Sequence, residues 1–281
     1  MMQILILLST LAAIQSAAVS EEKECEGVII DGVYHDKEVL KTDLDRPYSL
    51  AVDFGTNILY FSYSLKKTDD VFKSVKINLY TKEYSEVEGI DNGFVHTVDQ
   101  NNHVPYIGTS QGIYKYNYTT RTSAIVYGAS DSDIWEIYFK DALYYSDFPS
   151  QFLYVLKYGE SMRFKELEHT KVIHFAIDKD DVMFFTNGTG LYSQPIGTED
   201  AYLYEKLENG ERVRGFANDL KGNVYACFQD GIYKVDTATG TLKLIVPVDD
   251  AFGVAFDANN NIVYSDYQSV IHLKPNKNKT C

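Results

Sequence analysis

No segment of this sequence carries a sustained apolar stripe at helical spacing, which removes the helix-built fold classes at the outset. Proline is scarce, with six in 281 residues, and no Pro-, Gly- or Ser-rich linker sets off a second domain. Cationic side chains are outnumbered: 26 Lys and Arg stand against 40 Asp and Glu, a net charge of −14. Such an acidic surface disfavours nucleic acid and anionic membrane as partners. The usual marks of catalysis are missing as well. The six histidines, His35, His96, His103, His169, His174 and His272, show no HxxxH ligand spacing, and neither a GxSxG turn nor a glycine-rich phosphate loop occurs. One uncharged apolar run exists, from Ile4 to Ile14, and it is too short to span a bilayer. Followed by SAAVS and a charged stretch from Glu21, it reads as a secretory leader, residues 1–20, removed between Ala18 and Glu21. Residues 21–281 are then a single domain.

What the chain has in abundance is repetition. Six times a short apolar run ends in an acidic turn and is followed by a second run rich in Tyr and Phe, then by a Gly-marked hairpin. The turn falls at Asp53, Asp99, Lys140, Asp178, Asp219 and Asp257, giving intervals of 46, 41, 38, 41 and 38 residues. Within each unit apolar and polar residues alternate, as Phe252, Val254 and Phe256 do against Gly253, Ala255 and Asp257. About four strands fit into forty residues, so each unit is one twisted antiparallel sheet. The fold class is all-β, a six-bladed propeller.

A propeller must close its ring or expose a sheet edge. After the sixth phrase too little chain remains to finish a blade, whereas the segment from Gly27 precedes the first phrase and has no blade of its own. The N-terminal segment therefore joins the last blade. Of the three cysteines, Cys25 and Cys281 flank the array and become neighbours on this closure, so a disulfide between them is expected to lock the ring. Cys227 lies within a strand and reads as a buried, unreactive thiol. Glycosylation sequons at Asn117, Asn187 and Asn278 accord with the secretory route.

In a propeller the first strand of each blade lines the axis, so equivalent positions form rings. Five residues before the turn stand Tyr48, Phe94, Trp135, Ile173, Arg214 and Phe252, four aromatics, one aliphatic and one guanidinium, including the only Trp of the chain. These are the candidate ligand-binding residues, with Arg212 and Lys171 nearby. Such a cup suits a planar, partly anionic small molecule, Arg214 pairing with its acid group. The bland alternative is that the aromatics plug the channel as core. At the end of the second strand the corresponding ring is Ser62, Gly108, Asp147, Asn187, Cys227 and Asp266. Calcium-dependent lactonase propellers of the gluconolactonase family place Asn, Asp and Glu at these levels, since a hard cation requires oxygen ligands. Here only Asp147, Asn187 and Asp266 qualify, so no metal and no catalytic residues are expected.

Over its whole length, including the leader and the phrases DNGFVHTVDQ, YIGTSQGIYKYN and ALYYSDF, the sequence resembles the ommochrome-binding proteins of insect, chiefly lepidopteran, haemolymph. The resemblance implies a circulating, non-enzymatic carrier whose bound group is a planar, acidic, tryptophan-derived pigment of the xanthommatin kind, with no other cofactor and no protein partner. It supplies no binding residues of its own. Two alternatives accompany it: a calcium-dependent lactonase or esterase, and an extracellular propeller that docks proteins on one face.

Overall fold

The computed structural model describes residues 26–65, 71–207 and 212–279; the leader, Cys25 and Cys281 lie outside them. Six antiparallel sheets are arranged as blades around one axis. Their innermost strands are Tyr48–Asp53, Val95–Asp99, Ile134–Lys140, Phe175–Ile177, Val213–Asn218 and Gly253–Phe256, and each lies against the next all the way round. The expected six-bladed propeller is the fold observed.

Burial explains the grading of sequence within a blade. Innermost strands are flanked on both sides by other blades, and Val95–Asp99 and Gly253–Phe256 are buried at every position. Outermost strands such as Thr122–Ser130 face water and alternate. The apolar cores form between adjacent sheets, as where Tyr60 of blade one meets Tyr116 of blade two, ring centroids 6.5 Å apart.

The recurrent acidic turn has a local cause. At the end of the inner strand the aspartate Oδ1 accepts the main-chain N–H two residues on: Gly55 on Asp53 at 3.0 Å, Asn101 on Asp99 at 3.0 Å, Asp180 on Asp178 at 2.9 Å, Lys221 on Asp219 at 2.9 Å and Asn259 on Asp257 at 2.8 Å. A carboxylate in this position replaces the missing ladder bonds of the turn. Blade three does without it, because Lys140 pairs directly with Ala142 around Asp141, whose φ is +57°.

Closure follows the expected route and goes one strand further. Val33–Lys41 pairs antiparallel with Val270–Pro275, from His35 opposite Pro275 to Lys41 opposite Val270. Val28–Ile30 then folds back on Val33–His35 through a two-residue turn at Asp31 and Gly32, both at positive φ. Blade six thus has five strands where four were expected, since the short hairpin covers the edge that the closing strand would otherwise present.

Candidate ligand-binding site

The starts of the six inner strands share one face, and there the axis opens into a cavity of about 1200 Å³. Tyr48, Phe94, Trp135, Ile173, Arg214 and Phe252 all line it. Two local devices bring them there. In blades one, three and five the ladder slips between Tyr48 and Ala51, Ile134 and Glu136, and Val213 and Gly215, so Trp135 and Arg214 sit in bulges that re-aim them. In blades two, four and six the ring residue stands just before the strand, pinned by main-chain bonds from Phe94 to Gly108 O (2.9 Å), Ile173 to Thr186 O (2.8 Å) and Phe252 to Ser265 O (2.9 Å).

The rings form a continuous array. Tyr48 meets Phe94 at 5.7 Å and Phe252 at 5.3 Å, both edge-on, and Phe94 meets Trp135 at 5.7 Å. Three further aromatics extend it: Phe72 lies 4.5 Å from Phe94, Phe148 stacks 5.7 Å from Trp135, and Tyr267 stands 5.9 Å from Phe252. These three lie outside the repeat count, in the loops after the second strands or at the start of a third, so ring spacing alone does not find them. Phe252 differs from its neighbours in being only 6 % exposed. Its ring supports the Arg214 guanidinium, 3.9 Å above its centroid.

Arg214 also donates to Ala251 O at 2.8 Å and to Asp250 Oδ1 at 2.8 Å, so its charge is partly answered within the protein. It is not alone at the mouth. The chain has five arginines, Arg46, Arg121, Arg163, Arg212 and Arg214, and three of them, Arg46, Arg212 and Arg214, line the cavity, while among the described residues no lysine does. Guanidinium forks match carboxylate and sulfate geometry and stack on rings, which ammonium groups do not. Lys171 is exposed and does not line the cavity. Burial holds the Tyr48 hydroxyl above its ordinary pKa against the opposing pull of Arg46 and Arg214, so it is a neutral donor and acceptor.

Beneath Trp135 and Ile173 the wall carries Glu136 and His174, with Nδ1 2.6 Å from Oε2. His96, also on the wall, is closed in; its Nε2 is 2.7 Å from Ser74 Oγ, and burial drives its pKa down to about 3.

The second ring does not gather at the axis. Asp147 Oδ1 accepts from Phe152 N at 3.0 Å, Asn187 Oδ1 from Thr189 N at 3.1 Å, and Asp266 Oδ1 from Ser269 N at 2.7 Å, each capping its own loop. Ser62 donates to Phe94 O at 2.6 Å, and burial raises the Cys227 thiol to about 12. None of the six ring positions lines the cavity, and among the described residues no group of three or more His, Cys, Asp or Glu could hold a metal. Among the sequons Asn117 and Asn278 are exposed and Asn187 is half-buried.

Fold and site together define a class: a six-bladed β-propeller with an aromatic, arginine-rimmed axial cavity of ligand size. Solved structures of the same fold include a gluconolactonase from Xanthomonas campestris (TM-score 0.70, 13% identity, covering 88% of this chain and 91% of that one). A regucalcin from Agrobacterium tumefaciens is similar at TM-score 0.65 and 10% identity, covering 86% of this chain and 96% of the other. No family model matches the sequence. The ommochrome-binding protein of Manduca sexta is 30% identical over 277 residues, which are 96% of this chain and 98% of that protein. The chain belongs to the ommochrome-binding protein family. No described helix is long and apolar enough to cross a membrane.

Proposed function

We propose that the protein is a secreted, non-enzymatic carrier that holds a planar, acidic aromatic pigment of the ommochrome class in the mouth of its axial cavity. One observation carries this reading: the aromatic array and three of the five arginines converge on a single opening. Tyr48, Phe94 and Trp135 offer ring surface to a flat ligand, Ile173 adds apolar contact, Phe252 backs Arg214, and Arg46, Arg212 and Arg214 face its acid groups. Each aromatic contact contributes about 0.5–1.5 kcal/mol beyond burial, and micromolar affinity needs about 8 kcal/mol, so burial of the ring system and ion pairing must supply the remainder. The relationship to the Manduca sexta protein supports this ligand class, and the leader-like N-terminus supports a route to extracellular fluid.

Titration with xanthommatin, followed by visible absorbance and by Trp135 fluorescence, tests the site. Trp135→Ala and Arg214→Ala are each expected to weaken binding by about tenfold or more, roughly one strong contact; unchanged affinity in both would reject it. A hydrolytic reading has only the shared fold behind it. Chelator-sensitive lactone hydrolysis by the purified protein would put that reading in place of the carrier.

A further inference from the structure

The Glu136–His174 pair lies on the cavity wall and, unlike the recurrent aspartates, caps no turn. It joins the inner edges of blades three and four, both side chains are about 15 % exposed, at 15% and 16%, and both face the cavity. A carboxylate only accepts, so Nδ1 carries the hydrogen of this 2.6 Å contact. In the neutral imidazole that leaves Nε2 as a bare lone pair, held in direction by Glu136. Nε2 makes no hydrogen bond among the described residues, and it is not one of the sealed polar atoms, so it opens on the cavity. His96 is the internal contrast: its Nε2 is used by Ser74 and its Nδ1 is closed off.

Holding an oriented acceptor half out of water is unfavourable unless a partner arrives. The upper cavity is otherwise rich in donors and ring surface, with guanidinium groups at the rim. We infer that His174, oriented by Glu136, is a specificity-determining acceptor for a ring N–H or O–H on the edge of the bound aromatic, so that the site favours ring systems bearing such a donor over their N- or O-alkylated counterparts. The ligand then lies with its acid group outward at the arginines and its donor edge inward. This inference rests on the carrier reading above.

Two planar tricyclic acids isolate the contact: acridone-2-carboxylate, which has a ring N–H, and its N-methyl derivative. They are titrated by fluorescence at about pH 8, above the ordinary imidazole range. The wild-type protein is expected to prefer the N–H acid by about tenfold, the value of a hydrogen bond whose loss strands a desolvated acceptor. His174→Ala should weaken the N–H acid by about that factor while changing the N-methyl acid less than about twofold, and Glu136→Gln should shrink the preference without abolishing binding. Equal binding of the two acids by the wild type, equal weakening of both by His174→Ala, or full retention of xanthommatin affinity in His174→Ala would each overturn the assignment while leaving the carrier standing. Failure of the wild type to bind either acid or xanthommatin would remove the carrier reading, and this one with it.

Discussion

Arg214 stands between two uses. Its guanidinium sits over the Phe252 ring and is tied to Asp250, which fixes its direction but spends part of its charge. If the rim recognises an acid group, Asp250 competes with the ligand for the same fork. Asp250→Asn is therefore expected to tighten xanthommatin binding by roughly two- to fivefold, the worth of a partly exposed ion pair; weaker binding on titration would mean that Arg214 serves packing alone. Five of the six ring positions were legible in the sequence because each is counted from an aspartate whose turn chemistry holds the count in register, and Trp135 because the tight Lys140–Ala142 turn keeps the same count. Phe72, Phe148 and Tyr267 were not, since they join the aromatic array from loops and a third strand that stand outside the repeat count. The scarcity of arginine is plain in the composition, but only the fold shows where three of the five go.

At the scale of the strand, the inner-strand turn does more than end a ladder. Asp257 accepts from Asn259 N, Asn261 N and His272 Nε2, the last at 2.9 Å. Burial alone would raise its pKa, but the hydrogen bonds from His272 and Asn261 outweigh it and bring the group from 3.8 down to about 2. A carboxyl depressed on folding adds stability above its unfolded pKa, and that contribution is lost as pH falls from about 4 to about 2. Urea melts across this window should show the loss in the wild type. Asp257→Ala should be destabilised by about 1–3 kcal/mol near neutrality, since it leaves buried donors unsatisfied, and should change less on acidification. The same strand-level logic explains the second ring. Its aspartates look like metal ligands by ring count, yet each is consumed by the loop that follows its own strand, a use that spacing cannot distinguish from an axial one.

The six-blade architecture was readable as a whole because a period near forty with strand alternation admits few other folds. The extra hairpin was harder to see, since Val28–Ile30 is only three residues long and depends on the Asp31–Gly32 turn. Closure itself rests on Val33–Lys41, and near it Lys279 Nζ lies 4.6 Å over the ring of Tyr34 while Gly27 N donates to that residue's hydroxyl at 2.8 Å. A variant lacking residues 1–41 uncovers the edge of Val270–Pro275. It is expected to leave the monomer peak in size-exclusion chromatography for aggregate; a monomeric, cooperatively melting product would show that the ring holds without its seam.

That seam also sets an order of events. Val33–Lys41 finds its partner in blade six only when residues 270–275 exist, so five blades can be assembled while that strand waits to close the ring. Among the described strands the longest-range pairing is therefore the last to form.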